Sequence, residues 1–427
     1  TPTPTPHPAS FNKYTNTIIN NYNNMINIAA STTTATITKT EQLDAVTEHY
    51  KPKATIVSSD NVDNIKRAAE KIRNGGLVGF PTETVYGLGA NAFDKDAVLS
   101  IFTAKGRPLT DPVIVHVVNA EFAATLLELS PRQRQIFDRL ATTFWPGALT
   151  IVAKASSLIP MIVTAQTGFV GVRYPMHDVA ASLIKEAGVP IAAPSANRFG
   201  HVSPTSAMHV FDDLGQSDIT ILDTDIQCKI GIESTVLKLV DDENLVILRK
   251  GGVSERAIKS ALSCDQFQSI SITSVSREVS NTTTQGQEAP GQLLTHYAPD
   301  IQAYILTDIF TSTSSSQQDS SPCATSIPLS QCVYIDFGNS SDTSIVSKFI
   351  AYRDLSPNST MLEAANCLFS TLRWSESIDG AKVILLPDLR ADKLKSLDNI
   401  DAVFDRIYRA ASGKTAQLDL VNQRVLI

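Results

Sequence analysis

AKGRPLTDPVIVH, running from Ala104 to His116, switches from helical to strand-like patterning across one short turn. Before it, DKDAVLSIFTAKG places Val98, Ile101 and Phe102 at helical spacing and stops at Gly106. After it, PVIVHVV is a short continuous apolar run of the kind that forms a buried strand. A helix, a turn and a strand in quick succession read as a mixed α/β or α+β unit. The turn also carries Lys105 and Arg107 on either side of the glycine. A lysine in the last helical turn complements the helix dipole and needs no ligand. An arginine beyond the helix end is shaped to fork onto phosphate or carboxylate oxygens. Taken alone, the stretch leaves both readings open.

The same alternation extends in both directions. VDNIKRAAEKIRNGG predicts a helix with Val62, Ile65, Ala69 and Ile72 on its inner face and a stop at Gly75, followed by the strand LVGF. SPRQRQIFDRLATTF opens on Ser130 as N-cap with Pro131 at the first helical position. The strands LTIVA and FVGVRY follow, then the helix DVAASLIKEAG and the strand IAAPSAN. SPTSAMHVFDDLG repeats the Ser-Pro helix start at Ser203 and Pro204. ITILD, STVLKLV, LVILRKG and the helix SERAIKSAL complete a first domain over residues 55–265, built on a large sheet. Residues 266–300 form a Ser/Thr/Gln-rich linker with one ordered-looking island, APGQLLTHYAPD. IQAYIL, QCVYIDF and AKVILLP are strand-like, and MLEAANCLFSTLRW sets Leu362, Ala365, Leu368, Phe369 and Leu372 at helical spacing, so residues 301–427 make a smaller second α/β domain. Residues 1–54 begin TPTPTPHPAS and hold no Asp, Glu or Arg before Glu41, which marks a disordered low-complexity tail. Their acid-poor composition is that of an organelle transit peptide, but the arginines typical of one are missing.

Composition narrows the function classes. Hydrophobic residues at 43% and charged ones at 19% belong to a soluble globular protein. The 36 basic residues are outnumbered by 43 acidic ones, which argues against a protein that coats nucleic acid but leaves room for a local basic cleft. Five cysteines without a CxxC pair argue against a structural zinc site or a disulfide framework and fit a reducing compartment. No apolar run approaches the roughly 18 residues of a membrane span.

Two motifs mislead. Gly413-Lys414-Thr415 lacks the preceding glycine of a P-loop, Tyr408 standing in its place. GLGANA matches the loose dinucleotide pattern but does not follow a clean buried strand. What gathers instead at strand ends is polar: PTETVYG after LVGF, Arg173 after FVGVRY, Ser195-Ala196-Asn197 after IAAP, GIEST before STVLKLV and Arg249 after LVILR. Ligand sites in open sheets lie where strands end, so these groups point to one cleft for an anionic, hydrogen-bonding ligand.

In combination, GLVGFPTETVYGLGANA, IFTAKGRP, DPVIVHV, FWPGALTIV, GVRYP, APSAN, SPT, GIEST and ILRKG resemble the threonylcarbamoyl-AMP synthases in their long two-domain form, and PGQLLTHYAP is similar to that family's interdomain linker. The resemblance implies a YrdC-like twisted open mixed sheet with flanking helices and a smaller C-terminal Rossmann-like α/β domain. It implies that L-threonine, bicarbonate or carbon dioxide, and ATP give threonylcarbamoyl-AMP and pyrophosphate. That product is passed to a tRNA threonylcarbamoyl transferase complex, which modifies the adenosine beside the anticodon. It also implies Mg²⁺ accompanying ATP with no metal bound tightly by the protein, and a cytoplasmic location, with a mitochondrial share as a further option.

Roles carry over by motif. Lys105, Arg107, Ser195 and Asn197 would be catalytic. Lys105, Arg107, Asp111, Asn197, Thr205, Arg249 and Tyr297 would bind ATP. Thr84, His116, Arg173, Ser195 and Ser234 would hold threonine, with Arg173 meeting its carboxylate. The linker island would close over the cleft as a lid. Two positions depart from the family pattern: Asp111 replaces the usual Asn, putting a carboxylate near the triphosphate, and Lys250 replaces a proline after Arg249. The alternative from a different class is a non-catalytic module that binds RNA weakly on the same basic concave surface.

Overall fold

Two sheets organise the chain in a computed structural model that describes residues 52–275, 286–291, 296–310, 326–390 and 397–427. The tail expected over residues 1–54 therefore lies almost wholly outside the described residues, as does part of the linker. From edge to edge the larger sheet contains Thr55–Ser58, Ile219–Asp223, Leu77–Phe80, Gly87–Asn91, Ile191–Ala192, Ile114–His116, Phe169–Arg173, Leu149–Lys154, Thr235–Leu239, Asn244–Arg249 and Ser271–Ser274. Parallel and antiparallel pairs mix along it, as expected of a twisted open sheet with helices packed on it. The Ile114–His116 strand sits in the middle, with His116 beside Arg173 on one side and Ile191 on the other.

Local chemistry sets the helix ends. Asp94 caps the helix Lys95–Lys105 by accepting from the amides of Asp96 and Ala97, and Gly106 ends it at φ 62°, where a side chain would be strained. Ser130 and Gln133 form a reciprocal capping box with Pro131 in the first turn of Pro131–Phe144. The second Ser-Pro start does not hold. Ser206 caps Ala207–Leu214 instead, because the Ser203 hydroxyl is buried and donates to Glu233 at 2.7 Å. Two residues expected to face inward are exposed, Val62 at 60% and Leu362 at 69%. The buried stripes run through Ile65, Ala68, Ala69 and Ile72, and through Met361, Ala364, Ala365, Leu368, Phe369 and Leu372. Gly87–Asn91 is itself a buried strand, which disposes of GLGANA as a phosphate loop.

The larger sheet continues past residue 265. Phe267 is buried in its core, and Ser271–Ser274 adds an edge strand parallel to Asn244–Ile247. Its alternating serine and threonine look like linker because one face of an edge strand meets water. The second sheet is parallel over Thr415–Asp419, Ala303–Phe310, Val383–Pro387, Cys332–Asp336 and Ala351–Asp354, with Arg424–Leu426 and Ser326–Pro328 as an antiparallel margin.

Residues from Pro52 onward form one compact body, in which the second sheet's helices grip loops of the first. Gly231, at φ 75°, lies so close to the helix Met361–Glu376 that an added Cβ would sit 2.4 Å from the Asn366 Cα. The Asn366 amide donates to the Cys228 carbonyl at 2.6 Å. A buried charge cluster closes the same seam: His201 lies 2.9 Å from Asp213 and 2.9 Å from Glu376, and Arg373 reaches Asp213 at 2.8 Å. Burial opposes a charge on His201, but the hydrogen bonds and charges of Asp213 and Glu376 outweigh it and raise its pKa. A raised histidine pKa stabilises fully below the unfolded value of about 6.5 and loses its effect as pH rises through the folded value. Melting temperature should therefore fall on the alkaline side of that window, and His201→Gln should flatten the slope. Parallel melting profiles for the two proteins would contradict this role.

Candidate active site

The strand-end groups converge. A cleft is walled by Thr84, Arg107, His116, Arg173, Ser195, Ser234 and Arg249, together with Tyr297 from the linker. Arg173 ends its strand with its guanidinium fixed on three sides: Nε donates to the Gly147 carbonyl at 3.1 Å, Nη1 to Thr84 Oγ1 at 3.0 Å, and Nη2 pairs with Glu83 at 2.7 Å. Thr84 shares a 2.8 Å hydrogen bond with Thr82, whose hydroxyl donates to the Val85 carbonyl. The PTET turn is thus folded around its own hydroxyls. His116 packs edge-on to Phe80, and its Nδ1 has no partner. Burial, reinforced by the Arg173 charge, lowers its pKa to about 3, so the imidazole is neutral.

Arg249 donates to the Ser234 carbonyl and hydroxyl at 3.1 and 3.2 Å, and Ser234 shares a hydrogen bond with Thr150. Arg107 is buried. Its Nε donates to the Asp111 carbonyl at 3.0 Å and its Nη2 to the Pro112 carbonyl at 2.7 Å, and it pairs with Asp111 Oδ2 at 3.0 Å. Apart from that pair, neither Asp111 oxygen has a hydrogen-bond donor among the described residues. Burial raises the Asp111 pKa against the pull of Arg107 and Lys105.

Lys105 is no solvated helix end. It is 3% exposed, and its ammonium donates to the carbonyls of Ser195, at 2.7 Å, and Asn197. Burial, and after it the Arg107 charge, hold its pKa well below the ordinary lysine value. Its bonds place it behind the Ser195 loop. Asn197 also turns into that loop, accepting from the Ser195 hydroxyl at 2.5 Å and donating to the carbonyls of Arg198 and His201. Thr205 is set back from the cleft, its amide and hydroxyl close to His209. The structure therefore gathers eight of the twelve sequence-derived residues on the cleft surface and puts Lys105, Asn197, Asp111 and Thr205 behind it.

Tyr297 does two things. Its ring stacks on Phe369 of the second domain at 5.2 Å, and its backbone adopts φ 62°. Its hydroxyl, without a partner, lies where a Cβ on Gly291 would come within 3.0 Å. Sequence reasoning quoted Glu83 and Glu233 within their motifs but gave them no role, and it missed Arg406. The signal for Arg406 was present: it shares the apolar face of DAVFDRIYRA with Val403, Ile407 and Ala410, an unpaired-looking charge at core spacing.

Residues 70–251 match the family model described as "Telomere recombination" (Sua5_yciO_yrdC), and residues 253–412 match "Threonylcarbamoyl-AMP synthase, C-terminal domain". A Threonylcarbamoyl-AMP synthase of Pyrococcus abyssi is 40% identical over 242 residues, covering 57% of this chain and 67% of the relative. One from Bacillus subtilis is 42% identical over 243 residues, covering 56% of this chain and 66% of its own length. The crystal structure of P. abyssi Sua5 complexed with L-threonine superposes with a TM-score of 0.68 at 32% identity, over 86% of this chain and 99% of that one. With both domain models matched in order and the strand-end motifs gathered in one cleft, the chain belongs to the threonylcarbamoyl-AMP synthase family.

Proposed function

We propose that this protein is an L-threonylcarbamoyladenylate synthase, a nucleotidyltransferase that joins L-threonine, bicarbonate or carbon dioxide, and ATP. The observation that carries this reading is one cleft with an immobilised guanidinium and hydroxyls on one wall and two further arginines around it. Arg173 suits the threonine carboxylate, with Thr84, Ser234 and neutral His116 around the rest of the amino acid. Arg107 and Arg249 suit phosphate. Lys105 and Asn197 act through the Ser195 loop they hold, and Thr205 through the loop that packs behind it.

The nucleophile in this chemistry belongs to the substrate. The threonine amine adds to carbon dioxide and loses a proton, giving a carbamate. A carbamate oxygen then attacks the α-phosphorus of ATP, and the bond to the β-phosphate oxygen breaks to release pyrophosphate. No protein nucleophile is required, so the protein's part is positioning and neutralisation of charge. Mg²⁺ bound with ATP would supply further neutralisation of the triphosphate, whereas Asp111, paired with Arg107 behind the cleft surface, would compete with the nucleotide for that guanidinium. Tyr297 and the linker island would limit water's access to the acyl phosphate. The product would go to a tRNA threonylcarbamoyl transferase complex, in the cytoplasm or in part in mitochondria.

Pyrophosphate release from ATP should require L-threonine and bicarbonate together. Release at an unchanged rate without threonine would overturn the proposal. Arg107→Lys should lose most turnover, because a point charge cannot make the fork's simultaneous bonds to Asp111, Pro112 and phosphate. Lys105→Ala should lose turnover and also about 1–3 kcal/mol of stability, since two buried carbonyls are left without their donor. Wild-type turnover in either variant at saturating ATP would defeat these assignments. Asp111→Asn should lower the KM for ATP by removing a competing carboxylate from Arg107; an unchanged or higher KM would show that the carboxylate does not oppose the nucleotide.

A further inference from the structure

Arg406 is the largest fully buried side chain of the molecule among the described residues, and it reaches out of the second domain into the wall of the cleft. It projects from the helix Ile400–Ala410, and its Nε lies 3.1 Å from Glu233 Oε2 in the GIEST segment. Its Nη1 donates to the Lys250 carbonyl, one residue beyond Arg249. Its guanidinium carbon stands 5.6 Å from the centre of the Tyr297 ring. The other Glu233 oxygen accepts from Ser203. Glu233, the carbonyl of Lys250 beside Arg249, and Tyr297 thus meet on one side chain that does not itself line the cleft.

Resting on the reading of the cleft as a threonine and ATP site, we propose that Arg406 is a positioning residue for threonine, through which the C-terminal domain holds the Glu233-Ser234 wall at the geometry the substrate needs. A buried ion pair adds little to stability compared with apolar packing, and its best-attested value is to specify one arrangement. The surroundings fit that use. Gly251 runs so close to the same wall that an added Cβ would lie 2.4 Å from the Glu233 carbonyl oxygen. Gly231 and Cys228, at the other end of the loop, are pressed on the helix Met361–Glu376. The C-terminal domain therefore holds this segment at two points, through Arg406 at Glu233 and through the helix Met361–Glu376 at Cys228 and Gly231. Of the proposed threonine ligands, Ser234 is the one whose chain neighbour, Glu233, is bound by a side chain of the C-terminal domain, whereas the side chains of Thr84 and Arg173 bond to first-domain partners.

The test is steady-state kinetics on the full chain. Arg406→Gln should raise the KM for L-threonine by about tenfold or more, with the KM for ATP changed far less, as expected when a wall for one substrate loosens. Loss of the arginine alone leaves Glu233 buried without its cation, so the single variant is paired with Arg406→Gln/Glu233→Gln, which removes both charges. The double variant should recover wild-type melting behaviour while keeping the raised threonine KM. A purely structural role would instead restore the threonine KM together with stability. That outcome, or a folded Arg406→Gln protein with an unchanged threonine KM, overturns the inference. Failure of wild-type protein to release pyrophosphate with threonine and bicarbonate would overturn the functional reading instead, so the two failures are separable.

Discussion

Cations buried around an anion site must be satisfied by the protein before any ligand arrives, and that requirement shapes this fold. An isolated buried charge costs several kcal/mol or more, so each cation needs carbonyls, hydroxyls or a carboxylate in contact. Arg173 is met by Glu83, Thr84 and the Gly147 carbonyl, Arg107 by Asp111 and two carbonyls, and Lys105 by the carbonyls of the Ser195 loop. The partners of Arg173 and Lys105 come from loops far apart in sequence, whereas Arg107 is met within its own turn. The cations therefore gather the strand-end loops as much as they serve a ligand, and the cleft is organised in advance of substrate.

Much of this was legible in the sequence because it is written locally. The helix ends at Gly106 and Ser130, the buried strand through His116 and the clustering of polar groups after LVGF, FVGVRY and IAAP all follow from short-range patterning. What was not legible depends on distant partners. Ser203-Pro204 has the composition of a helix start, but Glu233, thirty positions on, takes the hydroxyl. Lys105 reads as a dipole-complementing helix end until the Ser195 loop, ninety positions on, covers it. Ser271–Ser274 reads as linker because an edge strand can be as polar as a loop.

The two departures from the family pattern also take on a physical meaning. Asp111 forms a buried pair with Arg107, so the first cation of the loop is already partly neutralised by its own chain. Lys250, in place of a proline, has its ammonium paired with Asp401 and its carbonyl bound by Arg406, so both of its polar ends serve the seam with the C-terminal domain. Together with His201, Glu376 and Gly231, Lys250 makes that seam a continuation of the cleft wall, and the second domain is a structural part of the site rather than an appendage tethered to it.

The proposed reaction joins threonine, bicarbonate or carbon dioxide, and ATP without a nucleophile from the protein. The most direct measurement is mass spectrometry of the protein and its small-molecule products after a single turnover with ¹³C-bicarbonate, L-threonine and ATP. The label is expected in a threonylcarbamoyl adenylate, with a protein mass that does not change. An adenylylated or carbamoylated protein, or an adenylate that carries no label, would contradict it.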